Sequence, residues 1–284
     1  MNHAHRPRFR RARLPLATVF LLAAASLSCE GPPEGDPNAD EPIEVQDQAL
    51  ITNPQIDFSP QPSYLPPKTI VLTFDDGPDS TNTVKVLDIL KKNGLKATFF
   101  LNTNNYTDVE HDPGAQNLIK RMAKEGHEIG NHTVHHPNIT GLTSADLEKE
   151  IAGVETTLKK ILGASRRVTL FRAPYGEPYD PQGQNRKFFG KVAPVVARHA
   201  VHIGWAITPQ DAGGCSTATC VFNAVKAALS RGDYGVILMH STQAHTVAAL
   251  QKIIDYAKAN GYKFKLTEDV VRARYGQSSS QIIK

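Results

Sequence analysis

The 284-residue chain has three cysteines, three methionines and one tryptophan, and its formal net charge at pH 7 is only +4. With three cysteines, one intramolecular disulfide at most can form, with a thiol left over. No internal repeat is visible, which excludes a fibrous array. No apolar run reaches the roughly 20 residues of a membrane-spanning helix, which excludes a polytopic membrane protein. Hydrophobic residues make up 40% of the chain, too many for a wholly disordered one. What remains is one large domain or two small ones, with room for a core of ordinary size.

The small net charge hides three blocks. Residues 1–29 carry Arg6, Arg8, Arg10, Arg11 and Arg13 and no acid. Residues 14–27 are apolar apart from Pro15, Thr18 and Ser26, and Cys29 follows. A short apolar run behind arginines reads as an export signal, with a short N-terminal anchor as the alternative. The segment resembles a bacterial lipoprotein signal, whose mature chain begins at a lipid-modified cysteine, here Cys29. Ser26 stands where such signals usually have Leu. The Arg10-Arg11 pair leaves general secretion and twin-arginine export both open. If Cys29 carries lipid, Cys215 and Cys220 remain as a local pair in an oxidising setting, where they would form a disulfide.

Residues 30–66 hold eight acids and no base, with many prolines. This composition reads as a disordered, extended tether. Residues 67–284 hold 27 bases and 20 acids. A chain starting at Cys29 would therefore be nearly neutral, and its charge makes no case for a nucleic-acid partner. The third block is expected to be the functional domain.

Within that domain, short apolar runs at 69–74, 97–101, 127–131, 168–172, 200–206, 235–240 and 262–266 alternate with helical patterns at 84–92, 144–162, 224–229 and 247–259. Leu147, Ile151, Val154, Leu158 and Ile161 share one face of the second helix. The alternation predicts an α/β domain with a parallel sheet and helices outside it. Periodicity fits an open doubly wound sheet and a closed barrel equally.

Chemistry-bearing residues gather where the strands end. Asp75 and Asp76 close the first run, before a Gly77-Pro78 turn. Two adjacent carboxylates repel, so one of them needs a cation or a proton. His132 and His136, four apart, follow the third run; on a helical turn that spacing puts both rings on one face. Two imidazoles plus Asp76 make a ligand set for zinc, and also the facial set of non-haem iron enzymes. Arg172, Pro174 and Tyr175 follow the fourth run, Asp211 lies after the fifth and Leu238 and His240 end the sixth. Trp205 reads as core, and His111, His127, His135, His199, His202 and His245 as structural or surface residues. In parallel α/β folds, ligand sites form at the carboxyl ends of strands.

With these motifs in hand, the domain resembles the polysaccharide deacetylases of the NodB-homology type, carbohydrate esterase family 4. The motifs are Thr-Phe-Asp-Asp-Gly-Pro at 73–78, His-Thr-x-x-His-Pro at 132–137, Arg-x-Pro-Tyr at 172–175 and Leu-x-His at 238–240. The resemblance implies a distorted (β/α)7 barrel over nearly all of 67–284. It also implies one divalent metal, zinc in the first place and cobalt, nickel, manganese or iron otherwise, held by Asp76, His132 and His136. Asp75 would be the general base, oriented by Arg172. The backbone N–H of Tyr175 would hold the oxyanion, Leu238 would line an acetyl pocket beside Pro174, and His240, supported by Asp211, would protonate the leaving amine. The family's fourth motif is incomplete here, with Thr208 and Ala212 replacing an Asp and a Trp. The implied reaction is release of acetate from N-acetylglucosamine in peptidoglycan or chitin. Acetyl-xylan, a small acetylated amine, or an inactive glycan-binding scaffold are the alternatives. The expected protein is an exported monomer that meets a membrane only through its signal or lipid.

Overall fold

The computed structural model describes residues 51–283. The expected export signal, the Cys29 lipid site and the first part of the tether lie outside the described residues. Eight strands occur in the order β1 (Gln55–Ile56), β2 (Thr69–Asp75), β3 (Thr98–Leu101), β4 (Glu128–Asn131), β5 (Leu170–Phe171), β6 (Val201–Ile203), β7 (Gly235–His240) and β8 (Lys263–Lys265). The helices are α1 (Thr83–Lys92), α2 (Pro113–Lys124), α3 (Ser144–Leu162), α4 (Phe189–Val196), α5 (Ala218–Ser230), α6 (Ala244–Ala259), α7 (Thr267–Tyr275) and α8 (Ser279–Ile282). The seven expected runs are strands β2 to β8. The α2, α4, α7 and α8 helices were not among the expected ones.

The sheet runs β1-β6-β5-β4-β3-β2-β7, and every ladder pairing is parallel. One edge of β2 is shared: β3 pairs with Thr73 and Phe74, and β8 with Thr69 to Val71. The segment after β6 meets β7 at a short seam that closes the ring. There the N–H groups of Ala206 and Ile207 donate to the Val236 carbonyl at 2.8 and 3.1 Å, and Leu238 N–H to the Ile207 carbonyl at 2.9 Å. The result is the distorted barrel that the motifs implied.

Strand alternation decides what faces the barrel interior. In β2, Ile70, Leu72 and Phe74 pack with Val86, Leu87 and Leu90 of α1 in the outer core. Val71 joins Phe100, Val201, Ile203 and Val236 in the inner cluster. Asp75, two and four residues beyond Thr73 and Val71, therefore points inward with them.

The tether expectation fails over its second half. Residues 51–66 belong to the domain: β1 pairs with β6, Ile56 is 2% exposed and Leu65 is buried. Tyr234 N–H donates to the Pro60 carbonyl at 2.9 Å, and Arg274 pairs with Asp57 at 2.5 Å. A two-residue strand that borrows its partners from a segment some 145 residues away leaves no local periodicity to read.

Candidate active site

Asp75 is the last residue of β2, and Asp76 adopts a left-handed φ of 70°. That turn brings both carboxylates to one side, although neighbours on a strand would diverge. The next residue must be small, because a Cβ on Gly77 would lie 2.6 Å from Ser241 Oγ.

His132 and His136 do come together, but not on a helical turn. They sit on a bend after β4 in which Thr133 and His136 take left-handed φ values of 69° and 57°. Side chains hold this bend. Asn131 Oδ1 accepts from Thr133 N–H at 2.8 Å, and Asn102 Nδ2 donates to the carbonyls of His132 and Thr133 at 2.5 and 2.9 Å. His135 faces away and bonds Glu150 at 2.7 Å.

His132 Nε2 and His136 Nε2 lie 3.6 and 3.5 Å from Asp76 Oδ1. One ligand atom from each of the three fits within 4.8 Å of the others. His132 Nδ1 lies 2.8 Å from the Arg172 carbonyl, which fixes the proton there and leaves Nε2 as a lone pair. Burial lowers the pKa of both imidazoles, favouring the neutral form a metal requires. Asp76 Oδ1 is buried and has no hydrogen-bond partner, and burial raises the Asp76 pKa. An orphaned buried acceptor beside the His132 lone pair and the His136 ring nitrogen fits a divalent cation.

Arg172 is fully buried in the barrel, its guanidinium 4.2 Å above the Phe100 ring. It donates to Asp75 Oδ1 and Thr73 Oγ1 at 2.8 Å each, and to the carbonyls of Ile203 and Gly204 at 3.0 and 3.3 Å. One Asp75 oxygen is thus committed to Arg172, and the other lies 3.7 Å from His132 Nε2.

His240 ends β7 directly across the ladder from Asp75. Asp211 accepts from its backbone N–H at 2.8 Å and contacts Nδ1 at 2.9 Å, and Thr246 Oγ1 donates to the same carboxylate at 2.5 Å. Burial opposes charge on His240, but Asp211 outweighs it, helped by Asp75 and Asp76, and raises the pKa to about 9. His245 Nε2 contacts the Asp211 carbonyl at 2.7 Å, behind the site.

These groups surround a cavity of about 490 Å³ that also touches Leu238, Tyr175, Trp205 and Ala212. Several placements differ from expectation. Pro174 is buried and is not part of the lining, whereas its neighbours Ala173, Tyr175 and Gly176 are. Trp205 packs on the inner hydrophobic cluster, as expected of core, and also forms a wall of the cavity: Phe58 meets it edge-on at 4.6 Å, and a Cβ on Gly176 would come within 2.6 Å of its ring. Arg172 and Asp211 lie behind the lining, bonded to Asp75 and His240. Asn105 and Tyr106 line the cavity from the loop after β3, and sequence reasoning missed them. Their position at a strand's carboxyl end was the available signal. Cys215 and Cys220 are joined by a disulfide at the start of α5, with Cα atoms 5.3 Å apart. Among the described residues, no helix is long and apolar enough to cross a membrane.

Comparison with known proteins matches residues 63–191 to the polysaccharide deacetylase family. One Bacillus cereus peptidoglycan-N-acetylglucosamine deacetylase is 35% identical, the match covering 69% of this chain and 65% of that relative, so the chain spans a little less than two thirds of its length. A second protein of that description from the same organism is 34% identical over 73% of this chain and 90% of its own. The solved chitin deacetylase of Colletotrichum lindemuthianum superposes with a TM-score of 0.62 at 28% identity, over 77% of this chain and 91% of its own.

Proposed function

The chain belongs to the polysaccharide deacetylase family of carbon–nitrogen hydrolases, and we propose that it removes N-acetyl groups from N-acetylglucosamine in peptidoglycan or chitin oligosaccharides, releasing acetate. The observation that carries this reading is the convergence of Asp76, His132 and His136 beside an Arg172-held Asp75, across from an Asp211-held His240.

Asp76 Oδ1 and the two Nε2 atoms would hold one divalent ion, zinc by donor type. Such an ion polarises the acetamide carbonyl and acidifies water. Asp75 serves as general base: Arg172 pins one oxygen and leaves the other to take the water proton. The Tyr175 backbone N–H holds the developing oxyanion. His240, protonated near neutral pH, delivers its proton to the departing amine, and Asp211 keeps the ring oriented and charged. Leu238 bounds the acetyl methyl. Export through residues 1–29, a lipid at Cys29 and action as a monomer belong to the same reading, because the substrate lies in a cell wall.

Acetate release measured side by side on acetylated glucosamine oligomers, peptidoglycan and acetyl-xylan tests it. We expect release from the first two. Release confined to acetyl-xylan, or from none with metal bound, would contradict it.

A further inference from the structure

Asp211 reaches His240 from a loop, not from a strand or a helix. Upstream, that loop is fastened at Ile207, whose N–H donates to the Val236 carbonyl and whose carbonyl accepts from Leu238 N–H. Downstream, Ala212 is an exposed residue of the cavity wall, and Gly213 and Gly214 follow it. Two successive glycines give a backbone its greatest freedom. A Cβ on Gly213 would meet nothing within 4 Å, so no neighbour presses on it from that side. Gln210, at a left-handed φ of 56°, gathers the turn with one carbonyl, which accepts from the N–H groups of Gly213, Gly214 and Cys215 at 3.1, 2.7 and 2.9 Å.

The chain is anchored again at Cys215. That residue is buried in the outer core with Val221 and Val225, and its sulfur is bonded to Cys220 in the first turn of α5. Thr217 caps the same turn, its Oγ1 accepting from Cys220 N–H at 3.2 Å. The α5 helix packs along α6, whose His245 and Thr246 contact Asp211 from the other side. A crosslink between residues five apart constrains the unfolded chain little, so it is a weak staple for the whole domain. Its effect is local: it ties the free end of the Asp211 loop to a helix. Neither cysteine belongs to a motif that carries the family resemblance.

Resting on the deacetylase reading, we propose that the Cys215–Cys220 disulfide is a positioning element for catalysis. It stops the Gly213-Gly214 segment from drawing Asp211 away from His240, and turnover falls when the bond is absent.

The double variant Cys215→Ala/Cys220→Ala tests this on acetylated glucosamine oligomers. At pH 7 its kcat should fall about two- to fourfold, no further than in Asp211→Asn, with KM within about twofold and bound metal unchanged. The cycle with Asp211→Asn separates positioning from a general structural role. In that background, removing the disulfide should lower kcat by about 1.3-fold or less. Amide hydrogen exchange reads the same contact without turnover. His240 N–H donates to Asp211 at 2.8 Å and should exchange about tenfold faster without the bond, while Ile237 and Met239, paired with β2, keep their rates. If the double variant does not fold, a phosphine applied to the folded parent removes the same bond: with one water it becomes the phosphine oxide as the disulfide becomes two thiols. The loss of kcat should then match, and reverse on reoxidation with oxidised glutathione. Unchanged kcat and His240 exchange without the bond, or an equal kcat loss in both backgrounds, would overturn the inference. Acetate release from no glycan by the parent would overturn the deacetylase reading instead, and His240 exchange would still decide whether the disulfide holds Asp211.

Discussion

The two ends of the barrel each hold a carboxylate largely withdrawn from water, and they treat it differently. At the amino end, Glu128 opens β4. It accepts from Thr98 Oγ1 at 2.6 Å and from the N–H groups of Thr267 and Glu268 at 2.9 and 3.1 Å, capping α7. At the carboxyl end, Asp76 has a buried oxygen with no donor at all. Burial raises both pKa values, Glu128 to about 7. A perturbed carboxylate therefore does not by itself locate a site. The difference lies in partners: Glu128 has spent its acceptors on the fold, while Asp76 keeps one unpartnered oxygen beside two imidazole rings.

The sharpest way to break this contrast is at the carboxyl end. His132→Ala should lose both bound metal and acetate release. Asp75→Asn should keep the metal and lose turnover by roughly 10³-fold or more, since the general base is gone. Metal content and initial rates on the same preparations check both, and full activity in Asp75→Asn would sink the role given to that residue.

A smaller effect is expected at His240. Its pKa is raised above the ordinary 6.5 to about 9, so the acid form that the proposed mechanism uses is present below about 9 and is lost as pH rises through it. Removing the Asp211 charge should move the alkaline limb of the rate profile down toward roughly 6.5, with a rate loss of about fourfold at pH 7 from the lost acid form. A limb that stays near 9 in Asp211→Asn would contradict the pairing.

The smallest effect belongs to the amino end. Glu128 has a folded pKa of about 7 against an ordinary 4.5. It costs nothing below 4.5, where it is neutral in both states, and removes stability as pH rises from 4.5 to 7. Glu128→Gln should flatten the dependence of Tm on pH across that window, leaving acetate release intact. An unaltered slope would mean that other groups set it.

The sequence made the inward-facing chemistry legible because those residues close successive strands, each announced by a β-branched apolar run. Asp75, Asp76, His132, Arg172 and His240 needed only that placement to be gathered on one end. Residues shaped by loops were harder. The spacing of His132 and His136 suggested a helical turn, but side-chain bonds from Asn131 and Asn102 stabilise a left-handed bend instead. Tyr106 carries no periodic signal, and Trp205, which does pack on the inner cluster, gives no sign in the sequence that it also faces the cavity. Residues 51–66 read as tether because they are proline-rich and continue an acidic stretch that is solvated in composition, and their pairing with β6 is non-local.

The most direct test is metal content in three purified proteins: the parent, Asp76→Asn and Glu128→Gln. We expect about one divalent ion per chain in the parent and in Glu128→Gln, and none retained in Asp76→Asn. A full equivalent in Asp76→Asn, or its loss in Glu128→Gln, would contradict the distinction between the two buried carboxylates.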